Sequence, residues 1–138
     1  MTNQALTITV EQVHGRTPVT IFHLDGKLDP NTTAALEQAA QDALEHGTHY
    51  LLLDFQAVTL VTSAGLSAVL RLYKMLTPKD TTVTMMKPPP AEPYKSPYFK
   101  LANLPPNIYY VFNISGFASH IAIYPDTAAA LEAFAKNK

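Results

Sequence analysis

Few side chains in this sequence could do chemistry, and they are scattered. Two adjacent hydroxyls, Thr62 and Ser63, stand in the run Thr62-Ser63-Ala64-Gly65-Leu66, and there are five histidines, His14, His23, His46, His49 and His120. With no cysteine in the chain, thiolate nucleophiles and disulfides are excluded. A nucleophilic serine of the elbow type needs a glycine two residues away on either side. Gly65 supplies one, but Val61 stands where the other would be. A triad of Ser63 with a histidine and an aspartate stays open on sequence alone. Asp54 reads as a strand-end residue rather than a base, and no carboxylate pair has an acid–base arrangement. His46 and His49 fall at a helix end and in the loop after it, where histidine is ordinary dipole chemistry, so a structural role is expected rather than a metal site. The five glycines make no phosphate-cradling loop. These residues predict no enzyme, no metal and no cofactor.

The elements that would position Ser63 run from Tyr50 to Leu76. Tyr50-Leu51-Leu52-Leu53-Asp54-Phe55 is an apolar run without alternation, which suits a strand covered on both faces, and Gln56 to Val61 is expected to lead off it. Apolar residues at Leu66, Val69, Leu70, Tyr73 and Leu76 then make the stripe of an amphipathic helix, and Pro78 closes it. Ser63 is thereby placed at a helix N-terminus, among free N–H groups and the positive dipole end, where a serine is either a cap or a functional group.

Around this unit the chain alternates strand and helix. Leu6, Ile8 and Val10 alternate with polar residues, and Val19 to Leu24 can return antiparallel after a turn at His14 to Pro18. Asp29 reads as an N-cap with Pro30 in the first helical position, opening a helix through Leu36, Ala40 and Leu44 that stops near Gly47. Thr81 to Met86 is expected to be the next strand. Residues 88–106 hold seven of the eleven prolines, with Tyr94, Tyr98 and Phe99, and read as a Pro/Tyr-rich insertion pinned to the surface by its aromatics. A helix over Ile108 to Ser115, a strand at His120 to Tyr124 and a helix beginning at Pro125-Asp126-Thr127 complete the pattern. Alternation of this kind predicts mainly parallel pairing with helical crossovers.

At 138 residues and 47% hydrophobic content, one domain spanning residues 1–138 is expected. A net charge of -1 gives no footprint for nucleic acid or an anionic membrane. No apolar run approaches a membrane span, and MTNQALTITV does not read as a signal peptide, so a cytoplasmic protein without membrane insertion is expected.

A strand ending in Leu-Asp-Phe, a loop, then Ser63-Ala64-Gly65-Leu66 resembles the STAS domain, shared by bacterial anti-sigma factor antagonists and the cytoplasmic tails of sulphate transporters. That family typically carries Asp-Ser-Ser-Gly-Leu at this turn, its first serine being phosphorylated. Ser63 takes that place, Gly65 and Leu66 match, and Thr62 replaces the acid. Ahead of the first helix the family commonly shows Gly-Glu-Leu-Asp, and this chain has Gly26-Lys27-Leu28-Asp29. The likeness covers about residues 6 to 87 and 108 to 135. It implies a single α/β domain with a mainly parallel mixed sheet of about five strands and about four helices. It also implies an anti-sigma factor antagonist that binds a histidine-kinase-like serine kinase, is phosphorylated on Ser63 (or Thr62) and is reset by a phosphatase, with Asp29, Lys27, Thr62, Ser63 and Gly65 on the partner face. Two other readings stay open: a non-phosphorylated scaffold or transporter-associated subunit, and a small-molecule binder with the insertion as a lid.

Overall fold

A computed structural model of the protein describes residues 6–15, 17–76, 97–116 and 121–136. In chain order its elements are β1 (Leu6–Val13), β2 (Val19–Leu28), α1 (Thr33–Glu45), β3 (Leu51–Val61), α2 (Ser63–Leu76), β4 (Phe99–Ala102), α3 (Pro106–Ile114), β5 (Ala122–Tyr124) and α4 (Thr127–Lys136). They form one sheet in the order β1-β2-β3-β4-β5, antiparallel between β1 and β2 and parallel across the other three pairs. The α/β class and the mainly parallel sheet are as the alternation predicts.

The unalternating Leu51-Leu52-Leu53 is buried on both sides of the sheet. Phe22, Leu24, Leu51, Leu53, Phe55, Phe99 and Leu101 meet Leu36 and Ala40 of α1, Val69 and Leu72 of α2, and Ile108 and Phe112 of α3 in one core. On the other face Val19, Ile21, Leu52 and Ala102 pack against Ala130 and Phe134 of α4. Among the described residues three helices thus cover one face and a single helix covers part of the other.

Several boundaries differ from expectation. Asp29 is not the cap of α1, nor is Pro30 its first residue. Asp29-Pro30-Asn31-Thr32 is a β-turn closed by the Thr32 N–H on the Asp29 carbonyl at 3.0 Å, with Pro30 in the second position that its fixed φ suits. The Asp29 Oδ1 accepts from the Asn31 N–H at 2.9 Å, and the helix starts at Thr33. The end of α1 does follow expectation: Gly47 takes φ 97°, the Thr48 N–H returns to the Ala43 carbonyl, and the Gly47 N–H to that of Leu44.

The larger correction concerns residues 97–106, the described part of the 88–106 stretch expected as a Pro/Tyr-rich insertion. Phe99–Ala102 is β4, an interior strand between β3 and β5, with Phe99, Leu101 and Ala102 fully buried. Buried Lys100 lies over the Tyr124 and Phe134 rings, at 5.5 and 5.1 Å from their centroids. Pro106 opens α3 in the position where a missing N–H costs nothing. The strand expected at Thr81 to Met86 and residues 88–96 lie outside the described residues.

Candidate functional site

β2 and β3 run on beyond β4. β4 pairs β3 only over Leu51 to Asp54, whereas β2 stays paired to β3 as far as Leu28 opposite Val61, through irregularities after His23 and Gly26. Gln56 to Val61, expected to lead off the strand, is therefore its second half. β1 pairs β2 as far as Gly26, and past that point the β2–β3 arm carries the Lys27–Asp29 loop and the Thr62–Gly65 turn at its tip, side by side.

The Leu28 carbonyl joins the two segments. It accepts from the Thr62 N–H at 2.9 Å and from the Thr62 hydroxyl at 3.3 Å. The same hydroxyl accepts from the Gly65 N–H at 3.3 Å, so Thr62 is the N-cap of α2 and its hydroxyl both donates and accepts. Gly65 is buried because Leu28 lies directly above it. A Cβ on Gly65 would stand 2.6 Å from the Leu28 oxygen and 2.9 Å from its Cβ. The glycine is needed for close approach, not for an unusual φ. On the facing loop, buried Thr32 donates its hydroxyl to the Lys27 carbonyl at 2.8 Å and accepts from the Asp29 N–H at 3.0 Å, which fixes the loop against α1. Thr32 is a positioning residue that the sequence reading missed. The Asp-Pro-Asn run before it, a turn signature, was its only signal.

Ser63 is exposed in the first turn of α2, and among the described residues its hydroxyl has no hydrogen-bond partner. Capping and exposure thus fall on two neighbouring residues. Thr62→Ala is accordingly expected to cost about 1–2 kcal/mol in urea unfolding, by loss of the cap and of the Leu28 link. Ser63→Ala should stay within about 0.5 kcal/mol of the parent, as surface substitutions do. Equal losses for the two would place the cap on both residues.

Among the described residues Ser63 bonds no histidine, so no triad forms through it. His23 binds Asp54 through Nδ1 at 2.6 Å and Glu11 through Nε2 at 2.7 Å, leaving no ring nitrogen for a serine. Asp54 sits mid-strand instead of at a strand end. Burial alone would raise its pKa, but the Gln56 N–H, the Asn103 amide and His23 together hold it below the ordinary carboxylate value. His46 donates Nδ1–H to the Asp42 carbonyl at the end of α1, the dipole role expected of it. No group of three or more His, Cys, Asp or Glu among the described residues is placed to hold a metal ion. A cavity of about 480 Å³ lies between the β1–β2 hairpin and the end of α1, bounded by Val10, Phe22 and Ala43 and by Thr20, His46 and Thr48. It belongs to the end of the sheet where β2 begins, opposite Ser63. Among the described residues, every buried side-chain nitrogen or oxygen already has a partner. No described helix is long and apolar enough to cross a membrane.

An antiparallel hairpin leading into a parallel sheet, with a hydroxyl turn at the head of the central helix, defines an α/β domain of the STAS type. The chain belongs to that family: the STAS domain model matches residues 10–92, more than half its length. Among solved structures it is similar to an anti-sigma factor antagonist from Mycobacterium paratuberculosis, with 23% identity, TM-score 0.70 and 94% of this chain and 96% of that one covered. It is similar to unphosphorylated SpoIIAA, an anti-sigma factor antagonist, with 16% identity, TM-score 0.60 and coverage of 96% and 100%. The phosphorylated form of SpoIIAA, a Bacillus cell fate determinant, matches as well. A sulfate transporter family protein from Wolinella succinogenes shares the fold at 14% identity and TM-score 0.58, with 83% and 82% covered. No curated protein sequence matches the chain.

Proposed function

We propose that this protein is a phosphorylation-switched regulator of the anti-sigma factor antagonist type. Unphosphorylated, it binds an anti-sigma factor that is also an ATP-dependent serine kinase. The kinase modifies Ser63, the complex separates, and a phosphatase resets the protein. The domain acts in the cytoplasm as ligand and substrate and contributes no catalytic group.

The observation that carries this reading is the exposed, unbonded hydroxyl of Ser63 beside a neighbour that does the capping. A phosphate there adds about 1.5 to 2 negative charges at a helix N-terminus, which the dipole tolerates, so the fold survives. A partner packed against the same turn would have to desolvate that charge. Thr62 is the poorer acceptor because its hydroxyl is engaged at both its donor and acceptor sites. Lys27, Asp29 and Gly65 lie in the segments that meet at this turn and belong to the proposed partner surface. Names of fold relatives, SpoIIAA in its two phosphorylation states among them, point the same way.

The test is incubation with the cognate kinase and ATP, followed by peptide mass spectrometry. One phosphate is expected, on Ser63, and it should persist in Thr62→Val. Ser63→Ala should remain bound to the kinase through ATP turnover. Ser63→Asp should stay folded yet bind roughly tenfold or more weakly, the cost of about 1.4 kcal/mol for a charge facing a dry interface. If neither hydroxyl is modified and the two variants bind alike, the switch reading fails. The transporter-associated reading, favoured by the Wolinella succinogenes match, would then take its place.

A further inference from the structure

The face of the sheet that α4 only partly covers holds a second polar cluster, far from Ser63 along the strands and independent of its modification. Three adjacent strands contribute to it: Glu11 from β1, His23 from β2 and Asp54 from β3. Both imidazole nitrogens lie within 2.7 Å of a carboxylate oxygen. Carboxylates only accept, and a neutral imidazole has one N–H to donate. With both carboxylates ionised, two such bonds are satisfied together only by the doubly protonated ring. Asp25, Thr7 and Thr9 line a cleft of about 300 Å³ with His23 and Asp54, and among the described residues no lysine or arginine lines it. From the β4–α3 connection Asn103 bonds both Asp54 and Thr127 of α4, and the charged group of β4 on this face, Lys100 opposite Leu52, lies over the Tyr124 and Phe134 rings.

We propose that Glu11, His23 and Asp54 form a proton-operated clasp, which fastens the edge strand β1 to the sheet while the imidazole is cationic and releases Glu11 when it is not. The asymmetry sets which bond opens. Asp54 is buried and fixed by Gln56 and Asn103 as well as by His23, whereas the Glu11 side chain is 55% exposed and is tied to β2 through His23. On deprotonation the Nε2 proton goes to solvent and Nδ1–H stays on Asp54. The Nε2 lone pair then faces the Glu11 carboxylate, two acceptors in contact, and β1 loses this tie while keeping its backbone ladder and the Thr20–Gln12 side-chain bond.

The Glu11 bond first, against burial, and then Asp54 raise the His23 pKa above the ordinary 6.5. A raised histidine contributes stability that is fully present below 6.5 and is lost as pH rises through the raised value. The depressed Asp54 contributes above the ordinary carboxylate range and is lost as pH falls through its lowered value. The clasp is closed between these limits and opens on the alkaline side.

The test uses the full chain between pH 5 and 9, following the histidine ring resonances and the exchange of β1 amides corrected for intrinsic rate. His23→Gln identifies the His23 resonance by its loss. That resonance should titrate above 6.5, and Glu11→Gln should move its midpoint down. Over the same interval β1 protection should fall about twofold to fivefold, the range of a partly exposed ion pair, while β3 protection holds. In Glu11→Gln, whose site is exposed and whose fold is not at risk, that pH dependence should vanish. A His23 midpoint at or below 6.5, or β1 protection with the same pH dependence in parent and Glu11→Gln, overturns the proposal.

Discussion

Gly65→Ala should unfold about 2–3 kcal/mol more easily than the parent in urea, and Gly65→Val more easily still. The magnitude follows from what the new Cβ meets. Its nearest neighbour, at 2.6 Å, is the backbone oxygen of Leu28, and the Leu28 Cβ and Val61 Cγ1 follow at 2.9 and 3.0 Å. A flexible side chain could swing aside, but this carbonyl cannot, because Thr62 holds it through N–H and hydroxyl together. Relief requires either breaking that link or tilting α2 away from the arm. The exposed neighbour Ser67 provides the control, and Ser67→Ala should stay within about 0.5 kcal/mol. A Gly65→Ala protein as stable as the parent would show that the two loops are not in contact.

Phe99→Ala should cost about 3–5 kcal/mol, the usual loss for truncating a fully buried phenylalanine. Domains of this kind are stable by roughly 5–15 kcal/mol, so this is a large share of the total, and the melting temperature should fall by roughly 10 °C or more. Phe99 is fully buried opposite Leu51, and the residue before it, Tyr98, accepts from the Leu51 N–H at 2.8 Å and stacks on Tyr50. Tyr110→Ala on exposed α3 should change stability by no more than about 0.5 kcal/mol. If the Phe99 and Tyr110 substitutions behaved alike, β4 would not be an interior strand, and residues 88–106 would after all be dispensable.

That contrast marks where the sequence was and was not legible. β1, α1 and α2 follow from periodicity, because each is long enough for its apolar residues to repeat, whereas β3 shows in its unalternating apolar run only as far as Phe55, and its second half was expected to leave the strand. β4 has four residues, one of them Lys100, and stands between Pro97 and Pro105. Its burial depends on rings supplied by Tyr124 and Phe134, more than twenty residues away, and no local pattern announces it. The neighbouring prolines suggested a loop, although they only flank the strand. At the helix start the sequence located the hydroxyl pair correctly. Which member caps depends on a one-residue boundary, finer than propensity resolves. His23 is a third case: alternation along β2 places it opposite Phe22 and Leu24, but its partner Asp54 is set by parallel register across two strands, which spacing does not encode.

The division of labour between Thr62 and Ser63 has a consequence for inheritance. Since Thr62 alone closes the helix, position 63 tolerates serine, alanine or aspartate at little thermodynamic cost. A lineage can gain, lose or permanently imitate a negative charge there by one substitution, with the architecture intact. Position 62 lacks this freedom, because any replacement must also supply the cap and the link to Leu28. Neighbouring codons of one turn should thus evolve under different constraints, one tied to the scaffold and the other free of it.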